Sequence, residues 1–239
     1  MPTRQKLSGL LMVGILPLLL VFSSKVQGAT VDEIAGKIQA NYEKIQDYQA
    51  NFVQKVTLTN INKIQKNEGV VYFKKKGKMR WDYQKPQKQE FISDGKTIWH
   101  YMPADNQVLV DKAAQSFPSK TPSTFLAGMG NLKRDFKIKF AKSPLVDTEK
   151  NYLLELFPKE EQPGMKRLLL VVAKDSYQVV ETLVYDHFGN LTRITFSDIK
   201  VNNDLPDDLF TFRIPKGAEV IRPPVLPRKD KPLPKKPGN

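Results

Sequence analysis

The sequence predicts an α+β protein built on one curved antiparallel sheet of about ten or eleven strands. Apolar and polar residues alternate with a period of two through most of the chain, which is typical of strands with one face in water. The connections between these segments are short and rich in turn residues, whereas parallel pairing would need crossovers of about a dozen residues or more. Only three segments have a helical pattern.

The first helix is predicted by a capping box at Thr30-Val31-Asp32-Glu33, where the Thr30 hydroxyl and the Glu33 carboxylate each bond a free backbone amide. Apolar residues follow at helical spacing as far as Ile45. From Tyr48 the period becomes two. The segments with strand character are 48–58, 64–75, 78–83, 89–93, 97–101, 107–111, 135–142, 151–157, 167–173, 179–185, 191–200 and 211–214.

Two shorter helical segments interrupt this alternation. Thr121 followed by Pro122 predicts a helix start, since proline fits the first helical position. The apolar residues of this short helix are Phe125, Leu126 and Met129. A further helical turn is predicted at 205–210.

The composition excludes several kinds of protein. The chain has 239 residues, 40% of them apolar, which suffices for one core-forming domain or two small ones. It has no cysteine, so disulfides, thiolate zinc sites, thiol nucleophiles and lipidation at cysteine are excluded. Its two histidines leave little room for a histidine-rich metal centre.

Residues 1–28 have the pattern of an export signal. Arg4 and Lys6 precede an apolar run from Leu10 to Phe22, and Gly28 provides a small residue before a cut. An uncleaved anchor is the alternative, because residues 7–24 carry no charge and approach the roughly 18 residues that span a bilayer. Export of a cysteine-free chain fits an oxidising compartment such as a periplasm.

The last segment, residues 222–239, is rich in proline and lysine, and we expect a disordered tail. A flexible arm for anionic membrane surfaces is the alternative. Of the net charge of +13, the two ends carry +3 and +5, which leaves +5 for residues 29–221. This body is only mildly basic, so we expect no nucleic-acid partner. The predicted organisation is therefore signal peptide 1–28, one domain 29–221, and tail.

Catalytic motifs are absent from the sequence. There is no nucleophile elbow, phosphate-binding glycine loop, zinc-protease motif or calcium loop. His100 lies in a predicted strand and His187 in a predicted turn. Asp94 could form a catalytic carboxylate pair with Asp82, but Asp94-Gly95 is first of all a hairpin signal, which argues against that role. We expect a protein that is not an enzyme, without cofactor or metal; a secreted hydrolase is the least favoured interpretation.

Large apolar side chains concentrate in the early hairpins. Met79, Trp81 and Tyr83 alternate along one strand, Trp99 and Tyr101 along another, and Phe52 aligns with Tyr48 on a third. A curved sheet would turn all of them toward one concave surface. The pattern leaves two interpretations open: an ordinary core, or the wall of a lipid-sized cavity.

Two adjacent motifs carry a family resemblance. The run Gly69-Val-Val-Tyr-Phe-Lys-Lys-Lys-Gly-Lys-Met-Arg-Trp-Asp-Tyr-Gln-Lys-Pro86, followed by Ser93-Asp-Gly-Lys-Thr-Ile-Trp-His-Tyr-Met-Pro103, resembles the outer-membrane lipoprotein carrier proteins, the LolA family. The likeness extends from about Ala50 to Met129 and more weakly to Pro215. It implies an incomplete antiparallel β-barrel of about eleven strands with a lid of short helices.

The resemblance also implies roles for particular residues. The implied cavity wall is Phe52, Met79, Trp81, Tyr83, Trp99 and Tyr101, and the implied lid underside is Ile34, Ile38, Phe125, Leu126 and Met129. Met79 would lie near the cavity mouth and meet a donor complex. Lys75 matches a position, commonly arginine in the family, that hydrogen-bonds lid carbonyls. Because lysine lacks the planar guanidinium fork, this lid is expected to open more easily; a solvated turn lysine is the alternative.

The implied function is that of a periplasmic, monomeric chaperone that binds the acyl chains of lipoproteins. Its implied partners are acylated lipoproteins, an inner-membrane ABC-type releasing complex and an outer-membrane lipoprotein receptor. A periplasmic carrier or sensor of another lipid on the same fold is the alternative function.

Overall fold

The computed structural model describes residues 28–113, 130–144 and 146–222. The predicted helix with Phe125, Leu126 and Met129 lies outside this part. So do the predicted export signal, apart from Gly28, and the predicted tail, apart from Arg222; these two residues lie outside helices and strands.

The described residues form one sheet of 12 strands. The strands are β1 (Asp47–Leu58), β2 (Lys63–Lys74), β3 (Lys78–Lys85), β4 (Gln89–Asp94), β5 (Thr97–Met102), β6 (Gln107–Lys112), β7 (Phe136–Phe140), β8 (Asn151–Pro158), β9 (Arg167–Ala173), β10 (Val179–Tyr185), β11 (Leu191–Val201) and β12 (Glu219–Ile221). Their order is β12-β6-β5-β4-β3-β2-β1-β11-β10-β9-β8-β7. Every neighbouring pair is antiparallel except β12 with β6.

The sheet is open, since β12 and β7 lie at its two ends rather than beside each other. Strand β1 is central, because it pairs with β2 along its whole length and with β11 on its other side. It therefore joins the strands β2 to β6 to the strands β7 to β11. This confirms the predicted α+β class and the incomplete antiparallel barrel.

Helix α1 (Val31–Lys44) begins at the predicted capping box. The Glu33 amide donates to the Thr30 hydroxyl at 3.2 Å, and the Thr30 amide donates to the Glu33 carboxylate at 2.8 Å. These two hydrogen bonds lower the pKa of Glu33. The helix buries Ile34, Ile38 and Tyr42, which follow one another at helical spacing.

Three shorter helical segments complete the described part: η1 (Thr59–Ile61), α2 (Leu132–Asp135) and η2 (Asp207–Phe210). The last confirms the helical turn predicted at 205–210. The first two were not predicted.

The strand predicted at 211–214 is wrong, because these residues pair with no strand and the last strand is instead β12. The segment lies against the sheet rather than in it. Phe210 is fully buried, and the Phe212 ring lies 6.2 Å from the Trp99 ring and 5.6 Å from the Tyr101 ring. An extended segment that packs one side on a sheet produces the same alternation as a strand.

One face of the sheet, here called the inner face, forms a continuous core with α1. Its largest fully buried side chains include Tyr48, Phe52, Phe73, Leu154, Leu156, Leu168 and Leu170. They belong to the same cluster as Ile34, Ile38 and Tyr42 of the helix. The outer face instead carries ion pairs, such as Glu181 with Arg193 and Glu155 with Arg167.

Gly69 provides a test of how tightly the inner face is packed. A Cβ atom at Gly69 would lie 2.0 Å from the carbonyl oxygen of Asp82 and 2.9 Å from the Phe52 ring. We expect Gly69→Ala to lower the free energy of unfolding by about 2 kcal/mol through this overlap, measured by urea denaturation. Gly164→Ala is the control, because a Cβ there meets nothing within 4 Å; equal effects would contradict this packing.

Candidate functional site

The inner face of β1 to β4 is an aromatic surface. The Phe52 ring lies 4.8 Å from the Trp81 ring and 5.0 Å from the Tyr83 ring, both in edge contact. Trp81 in turn lies 5.9 Å from Phe73 and 6.5 Å from Phe196. Such ring contacts are apolar and tolerate many geometries, so the surface suits flexible hydrocarbon better than a rigid polar ligand.

The strand register places four of the predicted cavity residues on this face. Phe52 lies opposite Gly69, Gly69 opposite Tyr83, and Trp81 opposite Val71, while Met79 follows at the same parity. Phe52, Met79 and Trp81 are 2%, 4% and 6% exposed, and all three belong to the buried cluster. Met79 is thus almost fully buried, and its contact with a donor complex stays a prediction.

The other two predicted cavity residues, Trp99 and Tyr101, are on the outer face. Trp81 lies opposite Phe91, and Phe91 lies opposite His100, so His100 rather than its neighbours shares the inner face. The expectation of one common surface was wrong. Alternation within a strand shows which of its side chains share a face, but the turn between two strands determines which face of the sheet that is. Trp99 and Tyr101 pack against Phe212 instead.

Sequence reasoning missed most of the inner face beyond β3. Its other members include Phe73, Phe91, Leu154, Leu156, Leu168, Leu170, Val172 and Phe196. In β9 apolar residues run continuously from Leu168 to Ala173, and in β8 only Glu155 interrupts the run from Tyr152 to Phe157, since both faces of these strands are partly buried. Only the pairing register could have identified the inward side chains.

Helix α1 is attached to its surroundings by several separate hydrogen bonds. The Tyr42 hydroxyl accepts from the Val179 amide at 3.0 Å, the Asn41 side chain donates to the Ser176 carbonyl at 3.1 Å, and Gln39 accepts from the Leu132 amide at 3.1 Å. Lys37 contacts Tyr177, both at the hydroxyl, 3.3 Å away, and over the ring.

Lys75 lies at the C-terminal end of this helix, in the turn between β2 and β3. Its ammonium group donates to the Glu43 carbonyl at 2.8 Å, and its amide donates to the Gln46 carbonyl at 2.9 Å. The last carbonyls of a helix have no partner within the helix and carry partial negative charge, so a cation is favourable there. Among the described residues, the Lys75 ammonium group makes one hydrogen bond, to the Glu43 carbonyl.

The junction between α1 and β1 is fixed from outside the helix. The Asp47 carboxylate accepts from the Asn203 amide at 2.8 Å and the Leu205 amide at 3.3 Å, and the Gln46 amide donates to Asn202 at 2.7 Å. Residues 46 and 47 are thus bonded to the β2–β3 turn and to the segment after β11.

The inner face contains two hydroxyl groups that lack a hydrogen-bond partner among the described residues, those of Tyr48 and Thr182. Tyr48 is fully buried between Phe73 and Phe196, and burial raises its pKa. Thr182 shares the inner face, since it lies opposite Leu170 and Ile194. A buried hydroxyl without a partner costs stability, and it is available to a ligand that reaches it.

The groups weighed for hydrolysis have other roles. His100 stacks on Phe91 at 3.8 Å and lies 3.1 Å from the Gln89 side chain, and burial lowers its pKa. His187 contacts the Gln162 carbonyl. Asp82 is bound by Arg80, and Asp94 accepts from two amides of its own turn. Within the described part, no three histidine or acidic residues form a metal-binding group.

The architecture is thus an open antiparallel sheet whose aromatic inner face is covered by an amphipathic helix, and it belongs to the class of incomplete β-barrels with a helical cover. The family described as outer membrane lipoprotein carrier protein LolA matches residues 43–213, and the chain belongs to this family.

Relatives named outer-membrane lipoprotein carrier protein support this membership. The one from Methylobacillus flagellatus is 32% identical over 184 residues, 77% of this chain and 86% of its own. The one from Nitrosomonas europaea is 35% identical over 175 residues, 73% of this chain and 82% of its own. A solved structure of an uncharacterized conserved protein from Thermus thermophilus shares the fold, with a TM-score of 0.51 at 15% identity over 80% of this chain and 98% of that one.

The described helices include none whose length and hydropathy would allow it to cross a membrane.

Two buried tyrosines allow a test of the polar groups in this core. We expect Tyr48→Phe to raise the free energy of unfolding by about 1 kcal/mol, because it removes an unpartnered hydroxyl. Tyr42→Phe removes the same atom but leaves the buried Val179 amide without its acceptor, so we expect it to lower stability by about 1 kcal/mol or more. Urea denaturation of both variants measures the two changes, and a shift of the same sign would contradict the assignment.

Proposed function

We propose that this chain is a periplasmic carrier that binds the acyl chains of lipoproteins on its inner face and moves them from the inner to the outer membrane. The observation that carries the proposal is the pairing of an aromatic and aliphatic sheet face with an amphipathic helix seated on the same buried cluster. Membership of the lipoprotein carrier family agrees with it.

Acyl chains need such a surface because their exposure to water is costly. Burial of each methylene is worth about 0.8 kcal/mol, so a free triacylated lipoprotein would not cross an aqueous compartment. Contacts with aromatic and aliphatic side chains are individually weak and non-directional. Binding by such contacts holds the chains without fixing their geometry, and no covalent step or cofactor is needed.

Helix α1, which packs on the inner face, supplies the release mechanism. Ile34, Ile38 and Tyr42 pack on the inner face, so cargo that binds there must displace them. The return of the helix to its place then favours departure of the acyl chains. Affinity is therefore the difference between two apolar contacts, which keeps transfer reversible.

The family resemblance extends the proposal to two partners: an inner-membrane ABC-type complex that loads the carrier and an outer-membrane receptor that unloads it. We also propose that the carrier acts as a monomer, without a nucleic-acid partner. A carrier or sensor of another lipid on the same fold is the second candidate, favoured because apolar ring contacts impose no particular geometry on a ligand.

Incubation of the purified protein with spheroplasts tests the carrier function. We expect triacylated lipoproteins in the supernatant as soluble one-to-one complexes, identified by mass spectrometry of the bound lipid. A folded protein that releases nothing, with a matching transporter present, would contradict lipoprotein carriage; a different co-purified lipid would favour the second candidate.

Trp81→Leu and Trp99→Leu form a matched pair for this assay. Both remove one indole from the same sheet, but only Trp81 lies on the inner face. We expect Trp81→Leu to lower the yield of soluble complex severalfold and Trp99→Leu to leave it near the parent level, after circular dichroism has established that both are folded. Equal losses would contradict the assignment of the binding face.

Lys75 should set how readily the helix leaves. Its bond to the Glu43 carbonyl is present in the helix-seated form, so removal of the bond favours the open form and raises affinity for acyl chains. We expect Lys75→Met to bind a fluorescent acyl probe about two- to tenfold more tightly, the range of one hydrogen bond. Lys76→Met removes a lysine from the same turn and is the control; equal effects would assign the change to charge alone.

A further inference from the structure

Two neighbouring turns at one end of the sheet are held together by hydrogen bonds. The turn after β1 contains η1, and the turn after β10 spans residues 186–190. The Thr59 amide donates to the Asn190 side chain at 3.0 Å, and the Thr59 hydroxyl donates to the Gly189 carbonyl at 2.8 Å. Asp186 orders the second turn by accepting from the amides of Phe188 and Asn190, both at 2.8 Å.

These turns carry the most exposed large apolar side chains of the described residues. Ile61 and Ile64 are each 66% exposed and Phe188 is 75% exposed. These three residues are called the apolar tip. Phe140 and Ile214, the other exposed large apolar residues in the described ranges, are 45% and 41% exposed and lie elsewhere in the fold. The carrier mechanism gives the apolar tip no role, since it lies outside the buried cluster of the inner face.

The chain around the first turn is positively charged. Residues 55–66 contain Lys55, Lys63 and Lys66 and no carboxylate, and all three lysines are exposed. Lys66 pairs with Glu68. In the second turn the Asp186 carboxylate is occupied by bonds to its own turn, which lower its pKa. A lowered pKa keeps Asp186 ionised, so three lysines and one carboxylate border the apolar tip, and cations are in excess.

We propose that the apolar tip docks reversibly on a lipid bilayer that contains anionic headgroups. Ile61, Ile64 and Phe188 enter the interfacial layer, and the neighbouring lysines face the headgroup phosphates. Exposed apolar side chains bordered by lysine are the combination that binds such interfaces. Because hydrogen bonds hold the two turns together, little conformational freedom is lost on docking.

The size of the apolar tip argues for a membrane rather than a second copy of the chain. A stable protein dimer buries about 1,200 Å² or more in total, which three side chains and their surroundings do not supply. A membrane contact can be this small, because each lysine near an anionic surface adds about 1 kcal/mol to the apolar contribution. The resulting attachment is weak and reversible, as a shuttling carrier requires.

Flotation of the purified, cargo-free protein with phosphatidylglycerol-containing vesicles tests this proposal independently of carrier activity. We expect the parent to float with these vesicles and less with pure phosphatidylcholine vesicles. Phe188→Ser should lower the bound fraction about threefold or more, and Lys63→Gln should lower it and weaken its salt dependence. Phe140→Ser is the matched control and should bind like the parent; identical termini in all variants isolate the contribution of the apolar tip.

Three outcomes would overturn the proposal. The parent could fail to float with either vesicle, or Phe188→Ser could bind as well as the parent. Sedimentation equilibrium could also show a concentration-dependent mass that Phe188→Ser abolishes, which would assign the apolar tip to self-association instead.

Discussion

The contact between the apolar stripe of α1 and the inner face of the sheet determines the arrangement of the rest of this molecule. Ile34, Ile38 and Tyr42 join one buried cluster with side chains from both halves of the sheet. A sheet with a large apolar face needs a cover, because that face would drive aggregation if it were exposed. The helix supplies part of that cover.

The two faces of the sheet differ accordingly. The inner face is apolar and nearly free of directional bonds, with the Tyr48 and Thr182 hydroxyls as its unpartnered polar groups among the described residues. The outer face is fixed by ion pairs and by the segment around η2, where Lys74 and Lys78 both pair with Asp207. These ion pairs lower the pKa of Asp207 to about 2. Hydrogen bonds and ion pairs therefore fix the outer face, whereas apolar contacts line the inner face, where the proposed cargo would bind.

Much of the fold could be predicted from local patterns in the sequence. The capping box fixed the start of α1, and period-two alternation located most of the strands, because both signals depend on neighbouring residues alone. The site was less readable. Trp99 was assigned to the wrong face because the turns on either side of β4, and not the alternation within each strand, set the register. The segment at 211–214 has the alternation of a strand because one of its sides packs on the sheet from outside.

The fixed junction at Gln46 and Asp47 separates any movement of α1 from the strand pairing of β1. Because these residues are held by the β2–β3 turn and by the segment after β11, α1 can detach without loss of any pairing in β1. Detachment is then a local, sub-global event with a free energy well below that of complete unfolding. Amide hydrogens of α1 and β1 would accordingly exchange with solvent on separate timescales, although the two elements are adjacent in sequence. The proposed opening of α1 would therefore leave the strand pairing of β1 in place.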